Sequence, residues 1–197
     1  MLLIAITGGI GSGKSVVAHM VQVMGYEVYD CDSRARALMT DDSLVREQLI
    51  NAFGGDIYHD DGSLNRPHLS KVAFGDDDAL ARLNGIVHPA TARDMMRWAD
   101  EQKVREAEVA FCETALLRTA GLDRVVDVIW HVTAPEQVRI DRVMARNGLT
   151  AEQIRERMAA QYLEEHIVEG EQVIINDNVM ALLPQVTSLL RQLEINN

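Results

Sequence analysis

The chain has 197 residues, 47% of them hydrophobic and 25% charged, enough for one sizeable core and a small insertion. Its net charge of −11 argues against a nucleic-acid partner, which needs a basic surface, and reads simply as solubility. No apolar run reaches membrane-spanning length, and the stretch from Met1 to Ile6 is too short for a signal peptide and lacks a basic flank, so no membrane partner and a cytoplasmic location are expected.

Leu2-Leu3-Ile4-Ala5-Ile6 is a short apolar run that predicts a buried parallel strand over residues 2–7. It leads into Gly8-Gly9-Ile10-Gly11-Ser12-Gly13-Lys14-Ser15, which fits the phosphate-loop pattern G-x-x-x-x-G-K-[ST] at every fixed position. Val16-Val17-Ala18-His19-Met20-Val21 continues as a helix. Strand, glycine-rich turn and helix N-terminus are the context the motif requires. Glycines let backbone N–H groups converge on phosphate oxygens, and the helix start adds unpaired N–H groups and a positive dipole end. Lys14 is placed to reach the β- and γ-phosphates, and the Ser15 hydroxyl to ligate Mg²⁺. The alternative is a glycine-rich turn without a ligand; the position and the flanking strand and helix favour nucleotide binding.

Further strands are predicted over 27–29, 108–112, 125–132 and 172–175, most of them apolar and β-branched. Helical patterns separate most of them. The alternation predicts an α/β, doubly wound, mainly parallel five-stranded sheet of the P-loop NTPase type. Cys31 and Cys112 fall at strand ends and read as buried free thiols.

The interval 32–104 holds no convincing strand and reads as a helical insertion. Leu44, Leu49 and Phe53 lie at helical spacing. Asp61-Gly62 marks a turn, and Asn65 with Pro67 just inside marks a helix start leading to Leu69, Val72 and Ala73. Asp76-Asp77-Asp78 caps another helix through Ala79, Leu80 and Leu83, and Pro89 predicts a bend or restart before a helix over 92–102. A second arm spans 135–165. Arg139, Arg142 and Arg146 share one helical face, Asn147-Gly148 turns the chain, and Thr150 with Gln153 forms a capping box. Taken alone the arm reads equally as a solvated hairpin or a mobile lid; beside a phosphate loop, the lid is favoured. The last helix covers 181–194. The expected organisation is one domain: a core of 1–31, 105–135 and 166–197, a substrate subdomain of 32–104 and a lid of 136–165. No heptad or exposed apolar stripe specifies an oligomeric state.

Asp30-Cys31-Asp32 follows the second strand, and ligands of parallel sheets bind at the carboxyl ends of strands. One carboxylate there suits the proton acceptor that phosphoryl transfer to an alcohol requires; its neighbour suits Mg²⁺ through water or a helix cap. Two helix-capping aspartates are the plainer alternative.

At this point the residues resemble the dephospho-CoA kinase family. The phosphate loop from Thr7 to Ser15 and Tyr29-Asp30-Cys31-Asp32 with Ala35-Arg36 match its first two motifs, Cys31 standing where the family usually has alanine. Asp61-Gly62-Ser63-Leu64-Asn65-Arg66, Ile86-Val87-His88-Pro89, Val132-Thr133-Ala134-Pro135-Glu136-Gln137 with Arg142 and Arg146, Gln161, and Val173-Ile174-Ile175-Asn176-Asp177 match further segments. The loop is shared by many NTPases; its combination with Asp-x-Asp, His-Pro and the lid pattern is specific.

The resemblance implies the fold, the activity and the site. Activity would be ATP-dependent phosphorylation of the ribose 3′-hydroxyl of dephospho-CoA, with Mg²⁺, as the last step of coenzyme A synthesis. It implies Asp32 as the catalytic base and Lys14 and Arg142 as groups neutralising the transferring phosphate. ATP would be held by Gly8, Gly9, Ile10, Gly11, Ser12, Gly13, Lys14, Ser15 and Val16, with Arg146 on the lid and Asn176 near the adenine. Thr7, Asp32, Arg36 and His88 would face the acceptor, His88 as a substrate-domain residue and not a catalytic one, and Ser15 would hold the metal. One stretch departs from the family. Where many members carry Pro-Leu-Leu-Phe-Glu, this chain has Glu113-Thr114-Ala115-Leu116-Leu117-Arg118-Thr119: the Leu-Leu core is kept, but Arg118 and Thr119 replace Phe-Glu, so that glutamate has no carrier at its own position. Glu113 either substitutes in the Mg²⁺ shell or serves as a hydrogen-bonding partner for the loop. Two rivals remain: another small-molecule kinase, such as a nucleoside monophosphate kinase, and a non-catalytic nucleotide-binding switch.

Overall fold

The computed structural model describes residues 1–73 and 76–195 of the chain. Five strands form one sheet: β1 (Leu2–Thr7), β2 (Glu27–Asp30), β3 (Val109–Glu113), β4 (Val128–Thr133) and β5 (Gln172–Ile175). Their order across the sheet is β2-β3-β1-β4-β5, and β1 pairs in parallel with β3 and β4, as β4 does with β5. Central β1 is buried along nearly its whole length, which its unbroken apolar run requires. Helices α1 (Lys14–Val23) and α9 (Leu182–Ile195) supply Val17, Ala18, Val21, Val186 and Leu190 to a core with Ile4, Ile6, Phe111, Trp130 and Ile174. The Phe111 and Trp130 rings meet at 5.0 Å between centroids.

The strand predicted over 125–132 begins later, at Val128. Leu122–Arg124 forms a 3₁₀ turn, and Val125 N–H donates back to the Leu122 carbonyl at 3.1 Å. Asp127 then takes both backbone groups of Leu3, its carboxylate accepting from Leu3 N–H at 2.7 Å and its N–H donating to the Leu3 carbonyl at 2.8 Å. That clasp sets the register before the ladder starts. On edge strand β5, the Gln185 amide brackets Ile175, accepting from its N–H and donating to its carbonyl, both at 2.9 Å. One side chain so occupies two groups a further strand would take.

The chain divides into two compact units, one of residues 1–29 and 99–197, the other of residues 30–98. In the second unit run α2 (Cys31–Asp41), α3 (Ser43–Phe53), α4 (Arg66–Ala73) and the greater part of α5 (Asp77–Val104). Val45, Leu49, Ile57, Leu69, Ala73, Leu83 and Val87 form its core. Leu44 and Leu49 do fall in one helix, but Leu44 is exposed and Val45 is buried with Leu49. Asn65 caps α4, its side chain accepting from His68 N–H at 3.2 Å, and Asp76 caps α5 through Asp78 N–H at 3.0 Å. No helix restarts at Pro89: α5 is continuous through it for 28 residues. Proline removes one N–H and crowds one carbonyl; a helix with several turns on either side, seated by buried Leu83, Val87, Ala90 and Met95, sustains that single loss.

In the first unit α6 (Glu136–Asn147) and α7 (Ala151–Ala160) form the predicted arm, turned by Gly148 at a φ of 66° and restarted by the Thr150–Gln153 capping box. Ile140, Val143, Ile154 and Met158 are its own small core. Short α8 (Tyr162–Glu165) follows. Among the described residues no helix is long and apolar enough to cross a membrane.

A polar cluster lies beneath the sheet's working edge. Glu164, fully buried, accepts from the backbone N–H groups of Arg118 (3.1 Å) and Thr119 (2.8 Å). The Arg118 guanidinium pairs with Glu171, whose other oxygen lies 3.2 Å from His131 Nδ1 on β4. Burial pushes the His131 imidazole below its ordinary value, against the upward pull of Glu171. The folded protein therefore favours the neutral ring, and the unfolded chain takes up that proton first as pH falls. Stability from this site is full above about pH 6.5 and is lost below it, by no more than about 1.4 kcal/mol per pH unit. Urea unfolding at pH 7.5, 6.5 and 5.5 should show this decline in the native chain and a flatter one in His131→Asn; equal slopes would assign the loss elsewhere.

Candidate active site

The sheet register brings the site together. Ile6 pairs with Glu113 and Thr7 with His131, so β1 delivers the loop at the carboxyl edge between β3 and β4. Gly8, Gly11 and Gly13 take positive φ values of 147°, 78° and 95°. At Gly13 there is also no room: a Cβ would stand 2.0 Å from Asn176 Nδ2. That amide, at the end of β5, donates to the Ser12 carbonyl at 2.8 Å and buttresses the loop. Helix α1 starts at Lys14; the N–H groups of Val16 and Val17 donate to the Gly13 carbonyl at 3.0 and 3.3 Å, and those of Lys14 and Ser15 precede the first intrahelical acceptor. Thr7 Oγ1 and Ser12 Oγ are buried with no hydrogen-bond partner among the described residues. A glycine-rich turn at a helix N-terminus, with two buried hydroxyls that lack a partner, is what a polyphosphate fits.

Ser15 Oγ donates to Glu113 Oε1 at 2.6 Å. The carboxylate thus stands at the hydroxyl that the loop pattern assigns to the metal. Both expected uses of Glu113, in the metal shell and as a partner for the loop, centre on this one contact.

The three arginines of α6 do not act alike. Arg139, expected on the face of a mobile lid, is buried; it donates to the Ile10 carbonyl at 2.8 Å and pairs with Glu165 at 2.5 Å. Arg142 donates to the Gly11 carbonyl (3.3 Å), the Ser12 carbonyl (3.4 Å), and the Asn176 carbonyl (3.0 Å) and side-chain oxygen (3.1 Å), and also pairs with Asn178. It is seated on the flank of the loop beside Asn176. Arg146 is exposed, its Nε donating to Asn147 at 2.9 Å. Val16 is half exposed on the first turn of α1.

Asp32, Arg36 and His88 belong to the second unit. Asp30 is the α2 cap, accepting from Ser33 N–H at 2.9 Å and from its hydroxyl at 2.5 Å. Asp32 sits exposed in the first turn of that helix, and among the described residues nothing holds its carboxylate. Arg36 donates to Ser33 Oγ at 3.0 Å. His88 is partly buried within α5.

Several placements carry no local sequence signal: Arg139 and Glu165 at the loop, and Glu164, Glu171 and His131 around the segment after β3. Asn178 left one trace, because an Asn following an Asp suits a left-handed turn; its φ is 69°, and Asp177 holds the turn by accepting from the N–H groups of Met180 (2.8 Å) and Val179 (2.9 Å). Those two bonds hold the Asp177 carboxyl below its ordinary value. The Arg118-Thr119 departure is absorbed by Glu164 and Glu171, which take the two N–H groups and the guanidinium.

The family model for dephospho-CoA kinase matches residues 2–181. A dephospho-CoA kinase of Porphyromonas gingivalis is 38% identical over 192 residues, covering 96% of this chain and 93% of its own length. The crystal structure of TT1252 from Thermus thermophilus superposes with a TM-score of 0.77 at 30% identity, covering 99% of this chain and 97% of its own. A dephospho-CoA kinase structure from Campylobacter jejuni shares the fold at a TM-score of 0.73 and 19% identity, covering 99% and 98%. With its phosphate loop, its buttressing Asn176 and a family match that spans nearly the whole sequence, the chain belongs to the dephospho-CoA kinase family.

Proposed function

We propose that this chain transfers the γ-phosphoryl group of ATP to the ribose 3′-hydroxyl of dephospho-CoA, giving CoA and ADP, as the last step of coenzyme A synthesis in the cytoplasm. The observation that carries this is the family match over residues 2–181, in a chain whose phosphate loop is complete. In the reaction the bond from the 3′-oxygen to phosphorus forms, the bond from phosphorus to the β,γ-bridging oxygen breaks, and the hydroxyl proton goes to a base.

The residues divide the work. Loop N–H groups, Ser12 and Lys14 bind the phosphates and take up the charge that develops on them, and Thr7 faces the acceptor. Ser15 and Glu113 would hold Mg²⁺, directly or through water; the ion supplies further neutralisation of the phosphoryl oxygens. Asp32 accepts the proton, since Asp30 is occupied in capping α2. Arg36 and His88 serve the acceptor from the 32–104 subdomain. Asn176 serves the adenine end, with Arg142 beside it on the loop, and Arg142 and Arg146 bring positive charge from the 136–165 lid. The lid excludes water, so that the phosphoryl group goes to the alcohol.

Incubation with Mg·ATP and dephospho-CoA, followed by mass spectrometry, should show CoA and stoichiometric ADP. Phosphate found on a nucleoside monophosphate, with none on dephospho-CoA, would replace this reading by the related kinase; tight nucleotide binding without acceptor-dependent ADP release would replace it by a switch. In the same assay Asp32→Asn should lower kcat by about 10²–10⁴ with ATP affinity within about twofold. Near-native turnover in that variant would remove Asp32 as the base.

Glu113→Gln keeps a hydrogen-bond acceptor for Ser15 and loses the charge. The Mg²⁺ concentration for half-maximal activity should rise about tenfold, with a fall in kcat at saturating Mg²⁺ no larger than about tenfold. An unchanged Mg²⁺ dependence would reduce Glu113 to a loop support.

A further inference from the structure

Ile10 is the one non-glycine residue between the positive-φ positions Gly8 and Gly11, and it binds outward at every point available to it. Its N–H donates to Gln161 Oε1 at 2.9 Å. Its carbonyl accepts from Arg139 Nε at 2.8 Å. Its side chain packs against the arm core of Ile140, Val143, Ile154 and Met158. A loop that turns other N–H groups inward for an anion must satisfy its outward groups elsewhere. Here two side chains of the arm satisfy both polar groups of a single peptide residue.

The charges fit the same role. Buried Arg139 is neutralised by Glu165, so it does not act as a free cation toward phosphate. Both groups crowd Gly9: a Cβ there would lie 2.5 Å from Arg139 and 2.7 Å from Glu165 Oε1. A carboxylate this close to an anion site is tolerable only while the guanidinium accompanies it. Gln161 then offers an oxygen acceptor for Ile10 N–H without adding a second negative charge beside the first. An amide meets both requirements; a carboxylate meets only the first, and an apolar side chain only the second.

We propose that Gln161, supported by the Arg139–Glu165 pair, is a positioning residue that fixes the Ile10 peptide and thereby holds the phosphate loop ready for ATP. It touches no reacting atom; its effect passes through the loop backbone. The inference rests on the loop being the ATP site of the reaction proposed above.

Two variants test it. Gln161→Met keeps length and removes the acceptor; Gln161→Glu keeps the acceptor and adds charge. Three quantities are read in each: hydrogen exchange of the Ile10 amide by NMR, ATP binding by calorimetry without acceptor, and steady-state kinetics. In Gln161→Met, Ile10 exchange should speed up at least about tenfold and the Kd and KM for ATP rise about tenfold, while kcat and the KM for dephospho-CoA stay within about twofold. Gln161→Glu should keep Ile10 protected yet weaken ATP binding. Folded Gln161→Met with native Ile10 protection, or with native ATP affinity, would overturn the proposal. So would loss of Ile10 protection in Gln161→Glu, which also serves if Gln161→Met does not fold. A native chain that binds ATP but leaves dephospho-CoA untouched would overturn the reaction and leave this inference standing.

Discussion

Everything in the phosphate-binding unit answers to one requirement: the segment after β1 must hold a backbone that ordinary residues avoid, with some of its N–H groups left unpaired for an anion. Positive φ at Gly8, Gly11 and Gly13 makes the turn possible, but possibility is not rigidity. Rigidity comes from outside the loop. Asn176 at the end of β5 grips the Ser12 carbonyl, Arg142 takes Gly11 and Ser12 carbonyls, and the arm takes both polar groups of Ile10. The carbonyls of Ile10, Gly11 and Ser12 are thereby tied down.

This division also explains why the arm between β4 and β5 is so rich in charge and yet so little of that charge is free. Arg139 is compensated by Glu165, and Glu164 is consumed by two backbone N–H groups of the segment after β3. A cation near a phosphate site is expected to serve the phosphate. In a packed interior its first obligation is to any buried carboxylate or carbonyl within reach, because an unpaired partner costs more than the pair returns.

The Ser15 end of the loop is built with fewer parts. The β1–β3 register puts Glu113 opposite Ile6, close enough for its carboxylate to hold the Ser15 hydroxyl across two elements. A one-residue slip of β3 would point that carboxylate to the other face of the sheet. The Asp127 clasp on Leu3, on the far side of β1, fixes the opposite register in the same way.

What the sequence determined by itself was whatever depends on near neighbours: the strand–loop–helix beginning, the glycine spacing, the caps at Asn65, Asp76 and Thr150, and the alternation that makes a parallel sheet. These are short-range because backbone dihedrals and helix caps are set within a few residues. The start of β4 and the run of α5 through Pro89 were misread for the complementary reason, since a lateral clasp and buried side chains outweighed local preference there. Only the tertiary structure decided which arginine is buried, that Gln161 meets Ile10 across 151 residues of chain, that Glu113 holds Ser15 across 98, and that Arg118 is answered by Glu171. Those choices rest on which desolvated groups come within hydrogen-bond reach once the sheet has closed, and no local pattern records that distance.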